Sequence, residues 1–489
     1  MTALGAHRAP LQNMPKKILD SDIAKLYIID EQGKKKLLVT LFWGDTIEVS
    51  KQAADHYVVP LTRFEWDNDQ KKYVRKDYEC QLSLKATFRE DPLLKVRFVD
   101  VGQGDAAMIE TPRGKRLIID GGEEEHLRRY LNVAFSHILK TRSLHLDAII
   151  VTHGDADHYS GLTKLINAKR ADNEPFITAG RVFHNGLVKG PESKKLEMLG
   201  KTKKVNGSTY ITELEDDVRK VSDTRMNKPF LEWKKALLNL TSKNGKPKVE
   251  RLEYGQHKPL AFAGAQDLEF QVLGPIVEKI DGAPALKFLK EPGGGGLSVS
   301  HTINGHSIVL NLRYKNVRFL FGADLNEESE ESLVERARLD NLSLSAEVLK
   351  VPHHGSADFS PRILEAIRPV VSVVSSGDEN TTKEYIHPRA GLVGALGKYS
   401  RPTVVKPLIY VTEMVAFFAR LKPPPVADRG KVDFHNLYRK TAFGIVHVRT
   451  DGERVLVVTH SGKDNQKESY TFRVDANGAV LFDQEVKIV

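Results

Sequence analysis

The chain has 489 residues, 40% of them hydrophobic and 28% charged, with a formal net charge of +9 and one cysteine. That length predicts about two to four domains, and the apolar share is enough for a real core. The lone Cys80 excludes an intramolecular disulfide and a cysteine-rich zinc site and fits a reducing compartment, while the positive charge favours polyanionic partners.

The opening MTALGAHRAPLQNMPKKILD has no apolar h-region, and no later run reaches the ~18–20 apolar residues of a membrane span, so a soluble cytoplasmic protein is expected. From about 24 to 90, short alternating runs (KLYIID, KKLLVTLFW, ECQLSLKATF) predict a small β-rich N-terminal domain over 1–92. From Leu94 the texture changes. LKVRFVDVG, AAMIET, KRLIIDGG and LDAIIVTHG are apolar strands that end in Gly, Asp or His, with the helical pattern EEHLRRYLNVAFSHILK between them. Strands with interspersed helices predict an α/β layered domain, taken here as 93–421.

Residues 189–251 interrupt that pattern with sixteen Lys/Arg against nine Asp/Glu, and a helix is predicted near Pro229–Leu240. The stretch reads either as a solvated insertion or as a basic flap over a substrate groove. The strand pattern resumes with LEFQVLGP, HSIVLNLRY, VRFLFGADL, AEVLKVPHHG and VVSVVSSGD. The glycines at 292–296 precede no Gly-Lys-Ser/Thr, which argues against a phosphate-binding P-loop. KPPPV at 422–426 reads as a linker to a β-rich C-terminal extension, 422–489.

The chemistry concentrates at strand ends. In VTHGDADHYSGL, His153, Asp155, Asp157 and His158 fall within six residues straight after an apolar strand, a density that favours a metal site over a polar turn. An EF-hand does not fit, because D-x-D-x-D-G and its late Glu are missing. Asp120, Asp324 and the pair His353 and His354 end three further strands, so four strands deliver carboxylates and imidazoles.

The motifs FVDVGQGDAAMIET, LIIDGG, THGDADHYSGL, FLFGADL and LKVPHHGS resemble, in this order, the metallo-β-lactamase fold, most closely the soluble domain of the ComEC DNA-uptake proteins. The resemblance spans roughly 94–400 apart from the basic stretch. It implies a four-layered αββα sandwich with two divalent metal ions. His153 and Asp155 would hold the first ion, Asp157 and His158 the second, Asp324 would bridge them, His354 would complete the second site, and Asp120 would support the loop. Most members carry His where this chain has Asp155; the extra carboxylate tilts the expectation to Mn2+ or Mg2+ over Zn2+. The remaining ligand of the first ion stays open among His301, Asn304 and His306. SSGDENTTKEYIHP resembles a segment that brings Asn380 and His387 near the site, and Asp157, His353 and His387 are the candidates for catalytic roles.

Such a site serves phosphodiester, lactam or thioester hydrolysis alike. The branch resemblance and the basic charge select a metal-dependent nuclease or phosphodiesterase acting on nucleic acid, DNA before RNA, in DNA processing or anti-phage defence beside protein partners. The alternatives are a hydrolase of small phosphoesters or nucleotides, and a non-catalytic nucleic-acid-binding module with a structural metal.

Overall fold

The computed structural model describes residues 16–67, 72–191, 196–264, 267–293, 295–377, 386–404, 406–415, 417–420, 438–442, 444–460 and 469–483. Two compact units divide the chain, Met1–Leu93 and Leu94–Val489.

The first unit is built of antiparallel strands. One sheet runs Lys35–Phe42, Ile23–Ile29, Lys72–Ser83, His56–Asp67 and Lys51–Gln52, and a smaller one runs Thr46–Glu48, Lys16–Leu19 and Phe88–Arg89. Leu26, Ile47, Val59, Cys80 and Leu82 form its buried core. Burial pushes the Cys80 thiol up to about 11, so it packs as a small hydrophobe and not as a nucleophile.

The second unit is built around two large sheets. Its larger sheet is ordered Lys248–Arg251, Ile177–His184, Leu144–Ile150, Arg116–Ile119, Ala107–Glu110, Leu94–Val99, Ile445–Thr450, Arg454–His460, Ser469–Val474 and Val480–Phe482. The other is ordered Leu268–Val272, Leu310–Tyr314, Val317–Phe321, Val348–Lys350, Val371–Val374 and Leu408–Val411. Strand alternation explains how they stack. Leu94, Val96 and Phe98 of the first sheet share one buried cluster with Leu310, Phe319 and Val371 of the second, and the rings of Phe98 and Phe321 lie 6.0 Å apart. The outer faces are covered by helices: His126–Ala134, Ala156–Asn167 and Lys228–Asn239 on one side, Glu327–Leu339, Pro361–Ile367 and Ala390–Lys398 on the other. The result is the four-layered αββα arrangement.

Within each sheet the strands that carry site residues run parallel. Ile119 pairs with Ile150 in one and Phe321 with Lys350 in the other, so Asp120, His153, Asp324 and His353 all follow C-terminal strand ends. Parallel strands end on the same edge, which is where an α/β scaffold gathers a site.

Two segments sit differently from their reading in sequence. Much of the basic stretch 189–251 is structural. Its helix Lys228–Asn239 buries Phe230, Trp233, Ala236 and Leu237 against the helix Ala156–Asn167, and Lys248–Arg251 adds a parallel strand beside Ile177–His184. Many of its charges are paired: Arg219 with Asp217, Arg225 with Glu213 and Glu215, Lys234 with Asp223 and Arg251 with Asp216 inside the stretch, and Lys203 with Asp281 beyond it. Lys201, Lys204, Lys220, Lys228, Lys235 and Lys243 remain exposed. The β-rich C-terminal extension adds its strands to the larger sheet, where Ile445–Thr450 pairs along the full length of Leu94–Val99. The linker KPPPV lies outside the described residues. No helix among the described residues is long and apolar enough to cross a membrane.

Glu330 in the helix Glu327–Leu339 is wholly buried; one carboxyl oxygen accepts from the Ser360 amide at 2.5 Å and the other has no partner among the described residues. Burial, reinforced by Asp358, Glu327 and Glu331, raises its pKa well above the usual carboxylate range. A raised folded pKa contributes stability at low pH that is lost as pH rises through it. Glu330→Gln does not titrate, so it is expected to melt ~2–4 °C above the parent at pH 8–9 and to lose that advantage near pH 4, as read by thermal unfolding.

Candidate metal centre

The loop after Leu144–Ile150 is held first by Asp120. One of its carboxyl oxygens accepts from the Thr152 amide at 2.8 Å; the other accepts from the Thr152 hydroxyl at 2.6 Å and from His158 Nδ1 at 2.9 Å. Donation from Nδ1 leaves Nε2 of His158 facing inward, free to bind a cation once it gives up its proton. His354 is set the same way, with Nδ1 3.1 Å from the Ser375 carbonyl and 3.2 Å from Asp105, whose other oxygen pairs with Lys350. His153 Nδ1 lies 3.1 Å from the Thr152 hydroxyl and 3.3 Å from that of Ser307.

All three Nε2 atoms turn to Asp324. Its Oδ2 lies 3.1 Å from His354 Nε2, 3.3 Å from His158 Nε2 and 3.9 Å from His153 Nε2. Asp157 closes the ring, 3.5 Å from His354 Nε2 and 4.0 Å from His158 Nε2, and accepts from Gln103 at 3.2 Å. Ligand atoms around a cation with bonds of about 2.0–2.2 Å lie roughly 3–3.5 Å apart, which is close to this spacing. Among the described residues the three Nε2 atoms and Asp324 Oδ1 are buried without a hydrogen-bond partner, an arrangement costly for a protein alone and natural for a cation. The His/Asp clusters therefore fit a divalent metal site.

The electrostatics agree. Burial alone would push His158 and His354 down, yet Asp324, with Asp120 at His158 and Asp105 at His354, outweighs it and holds both rings protonated well above the usual histidine range. Asp324 is held well below the carboxylate range, against its burial, by His354 and His158, and Asp157 is lowered by His158 and His354. A cation must displace the two imidazolium protons, so affinity rises with pH until the raised values are passed. Calorimetric titration with Mn2+ is expected to show affinity gaining up to about 100-fold per pH unit from the usual histidine range upward.

Backbone strain marks the same place. Asp120, Ala323, His353 and His354 all have left-handed backbones, with φ of 56°, 46°, 47° and 52°. Gly104 is required by contact: a Cβ there would come within 1.8 Å of the Asp157 carbonyl. Behind the cluster lies a void of about 10 Å³ bordered by Asp105, Asp120, Thr152 and Lys350, room for one water and not for a substrate. A cavity of about 480 Å³ lies in the basic stretch beside Gly190, Met198, Gly200 and Arg225, away from the cluster.

His153, Asp157, His158, Asp324 and His354 thus converge, with Asp120 behind them. Asp155 is not among the converging groups: its Oδ1 accepts from Lys189 Nζ at 2.6 Å. His306 is turned away, with Nε2 2.7 Å from the Lys287 carbonyl, and its burial pushes its pKa down to about 4. His301 lies by Asn326 and Asp358. The Asn304 amide donates to His353 Nε2 at 3.2 Å, leaving its buried oxygen without a partner. The ring of His387 lies 6.2 Å from that of His353; burial, with His354 and His353, pushes its pKa down to about 4. Asn380 lies outside the described residues. Asp105 and Lys350 are the site residues that the sequence reading passes over.

Residues 99–234 match the sequence profile of the metallo-beta-lactamase superfamily. No curated protein matches the chain. Among solved structures, a CmlA beta-hydroxylase mutant matches at 13% identity and a TM-score of 0.32, over 66% of this chain and 53% of that one. The chain thus spans about half the length of that structure. The matched segment carries the loop from His153 to His158, and with the αββα layers it places in this chain a metallo-β-lactamase superfamily domain, in general a metal-dependent hydrolase fold.

Proposed function

We propose that the chain is a metal-dependent nuclease or phosphodiesterase acting on nucleic acid, DNA before RNA, in the cytoplasm, with a role in DNA processing or defence against phage. The observation that carries the reading is the set of buried, inward-facing imidazole nitrogens around Asp324, tied directly to a basic segment. The helix Lys228–Asn239 lies on the loop's own helix, with the Tyr159 and Phe230 rings 5.6 Å apart, and Lys189 reaches Asp155. Exposed lysines along that segment suit a phosphate backbone.

A divalent ion held there supplies Lewis-acid polarisation of a phosphoryl oxygen and an acidified water. With Asp155 held by Lys189, the converging set of two carboxylates and three imidazoles suits Zn2+ as well as Mn2+. The protein's part is positional. Asp120 and Asp105 fix the tautomers of His158 and His354. Burial lowers the His353 pKa, and this ring accepts from Asn304 at Nε2 and so carries its proton on Nδ1, which has no partner among the described residues. That N–H is suited to hold a non-bridging phosphate oxygen or to assist the leaving oxygen.

The test is a matrix of Mn2+, Mg2+ and Zn2+ against single- and double-stranded DNA and RNA and a small aryl phosphodiester, with Asp157→Asn as control. Cleavage of nucleic acid that weakens steeply with salt supports the proposal. Cleavage of the small ester alone, at every salt concentration, leaves a small-phosphoester hydrolase in its place.

A further inference from the structure

We infer that the chain takes up one metal ion tightly, at Asp157, His158, Asp324 and His354, and that the Lys189 ammonium stands where a second cation would draw on Asp155. The inference rests on the metal-binding part of the proposal above and not on its nucleic-acid part.

Asp155 caps the helix Ala156–Asn167 but makes no side-chain capping bond; its carboxylate is given to Lys189 at 2.6 Å. Both side chains are about three-quarters shielded, so the pair is not a passing surface contact. The lysine is held in place from behind. Its carbonyl accepts from the Asn227 amide at 2.8 Å, and Asn227 caps the helix Lys228–Asn239, whose Phe230 and Trp233 lie 5.6 and 6.0 Å from Tyr159 on the loop's own helix. Lys189 therefore belongs to the same packed body as the loop.

The remaining donors are uneven. The carboxylate contacts of the tight site run from 3.1 to 4.0 Å, whereas His153 Nε2 meets one carboxylate, Asp324, at 3.9 Å, and groups with Asp324 and His158 but not with Asp157 or His354. Charge leads to the same result. With Asp105 paired to Lys350 and Asp155 to Lys189, Asp157 and Asp324 are the carboxylates left facing the imidazole Nε2 atoms. One divalent cation balances that remainder. A second would meet an ammonium already seated on its carboxylate, and like charges at such a distance repel strongly where water is scarce. The second equivalent is expected to bind at least about 100-fold more weakly than the first.

The full chain, stripped with chelator and titrated with Mn2+ alone, tests this by calorimetry, metal analysis after gel filtration, and electron paramagnetic resonance. One tight equivalent with the six-line spectrum of an isolated ion is expected. Lys189→Met keeps the aliphatic stem and removes the charge, and is expected to admit a second tight equivalent with a spin-coupled spectrum. Asp155→Asn is expected to leave the first Kd within about threefold. Two tight equivalents with a coupled spectrum in the parent, or a folded Lys189→Met that still takes only one, overturn the inference. Should Lys189→Met not fold, the parent spectrum decides alone. No uptake at all instead overturns the metal-site reading beneath it.

Discussion

Asp324→Asn is expected to empty the metal site while the fold persists. The substitution is nearly isosteric, and the residue follows the strand Val317–Phe321 without supplying its packing. What it removes is the one carboxylate that all three imidazole Nε2 atoms face, at 3.1, 3.3 and 3.9 Å. Without that charge, His158 and His354 lose the strongest attraction holding their protons, and a divalent ion loses its central anionic ligand. Metal analysis should show far less than one ion per chain, and hydrolytic activity should fall by about 10²–10³-fold or more, the scale of removing one group that stabilises developing charge. Circular dichroism and thermal unfolding should be close to the parent. Retained metal with retained activity would remove Asp324 from the centre of the site.

Lys350→Ala is expected to be the more damaging change to the protein as a whole. Lys350 is 4% exposed, its ammonium pairs with Asp105 and donates to the Val351 carbonyl at 2.9 Å, and Asp105 in turn steadies His354. Burial by itself would raise the Asp105 pKa, and Lys350, then His354, pull it back down. Removing the lysine strands a carboxylate in the interior, a loss of about 3–5 kcal/mol when one partner of a buried pair is deleted. Denaturant unfolding should report it as a lower midpoint. Lys350→Met with Asp105→Asn, which removes both charges, should recover much of the stability while metal affinity stays reduced, because His354 then lacks its anionic support. A single substitution that costs nothing in stability would show that the pair is not what holds this strand end.

These two residues also show where sequence reading stops. His153, Asp157 and His158 are legible because ligand types crowd one short loop after an apolar run. Asp324 and His354 are legible because each ends a strand of the same kind. Asp105 and Lys350 are single polar residues, one in a glycine loop and one inside the apolar run AEVLKVP, and nothing local says that they meet. The trace they leave is a lysine where strand packing calls for an apolar side chain. Asp155 shows the converse: its place in the motif makes it a ligand candidate, and only the fold brings Lys189 against it. In the basic stretch, average composition hides a helical stripe of Phe230, Trp233, Ala236, Leu237 and Leu240, buried while Lys228 and Lys235 are exposed. The layered α/β architecture follows from apolar strands alternating with amphipathic helices. The pairing of the last strands with Leu94–Val99 does not, since register between distant segments leaves no local signature.

That late pairing has a consequence for synthesis. The strand Leu94–Val99 leads into the loop bearing Gln103, Gly104 and Asp105, and its neighbour on one side, Ile445–Thr450, emerges from the ribosome some 350 residues later. The Gly444 carbonyl and amide both engage Asp100, just ahead of that loop. Until then the nascent chain carries the whole His153–His158 loop and both tandem histidines beside an unpaired strand edge. A chain cut short before Gly444 therefore has every metal ligand and an incomplete sheet. The last strands to be made thus close the sheet edge that leads into the Gln103–Asp105 loop.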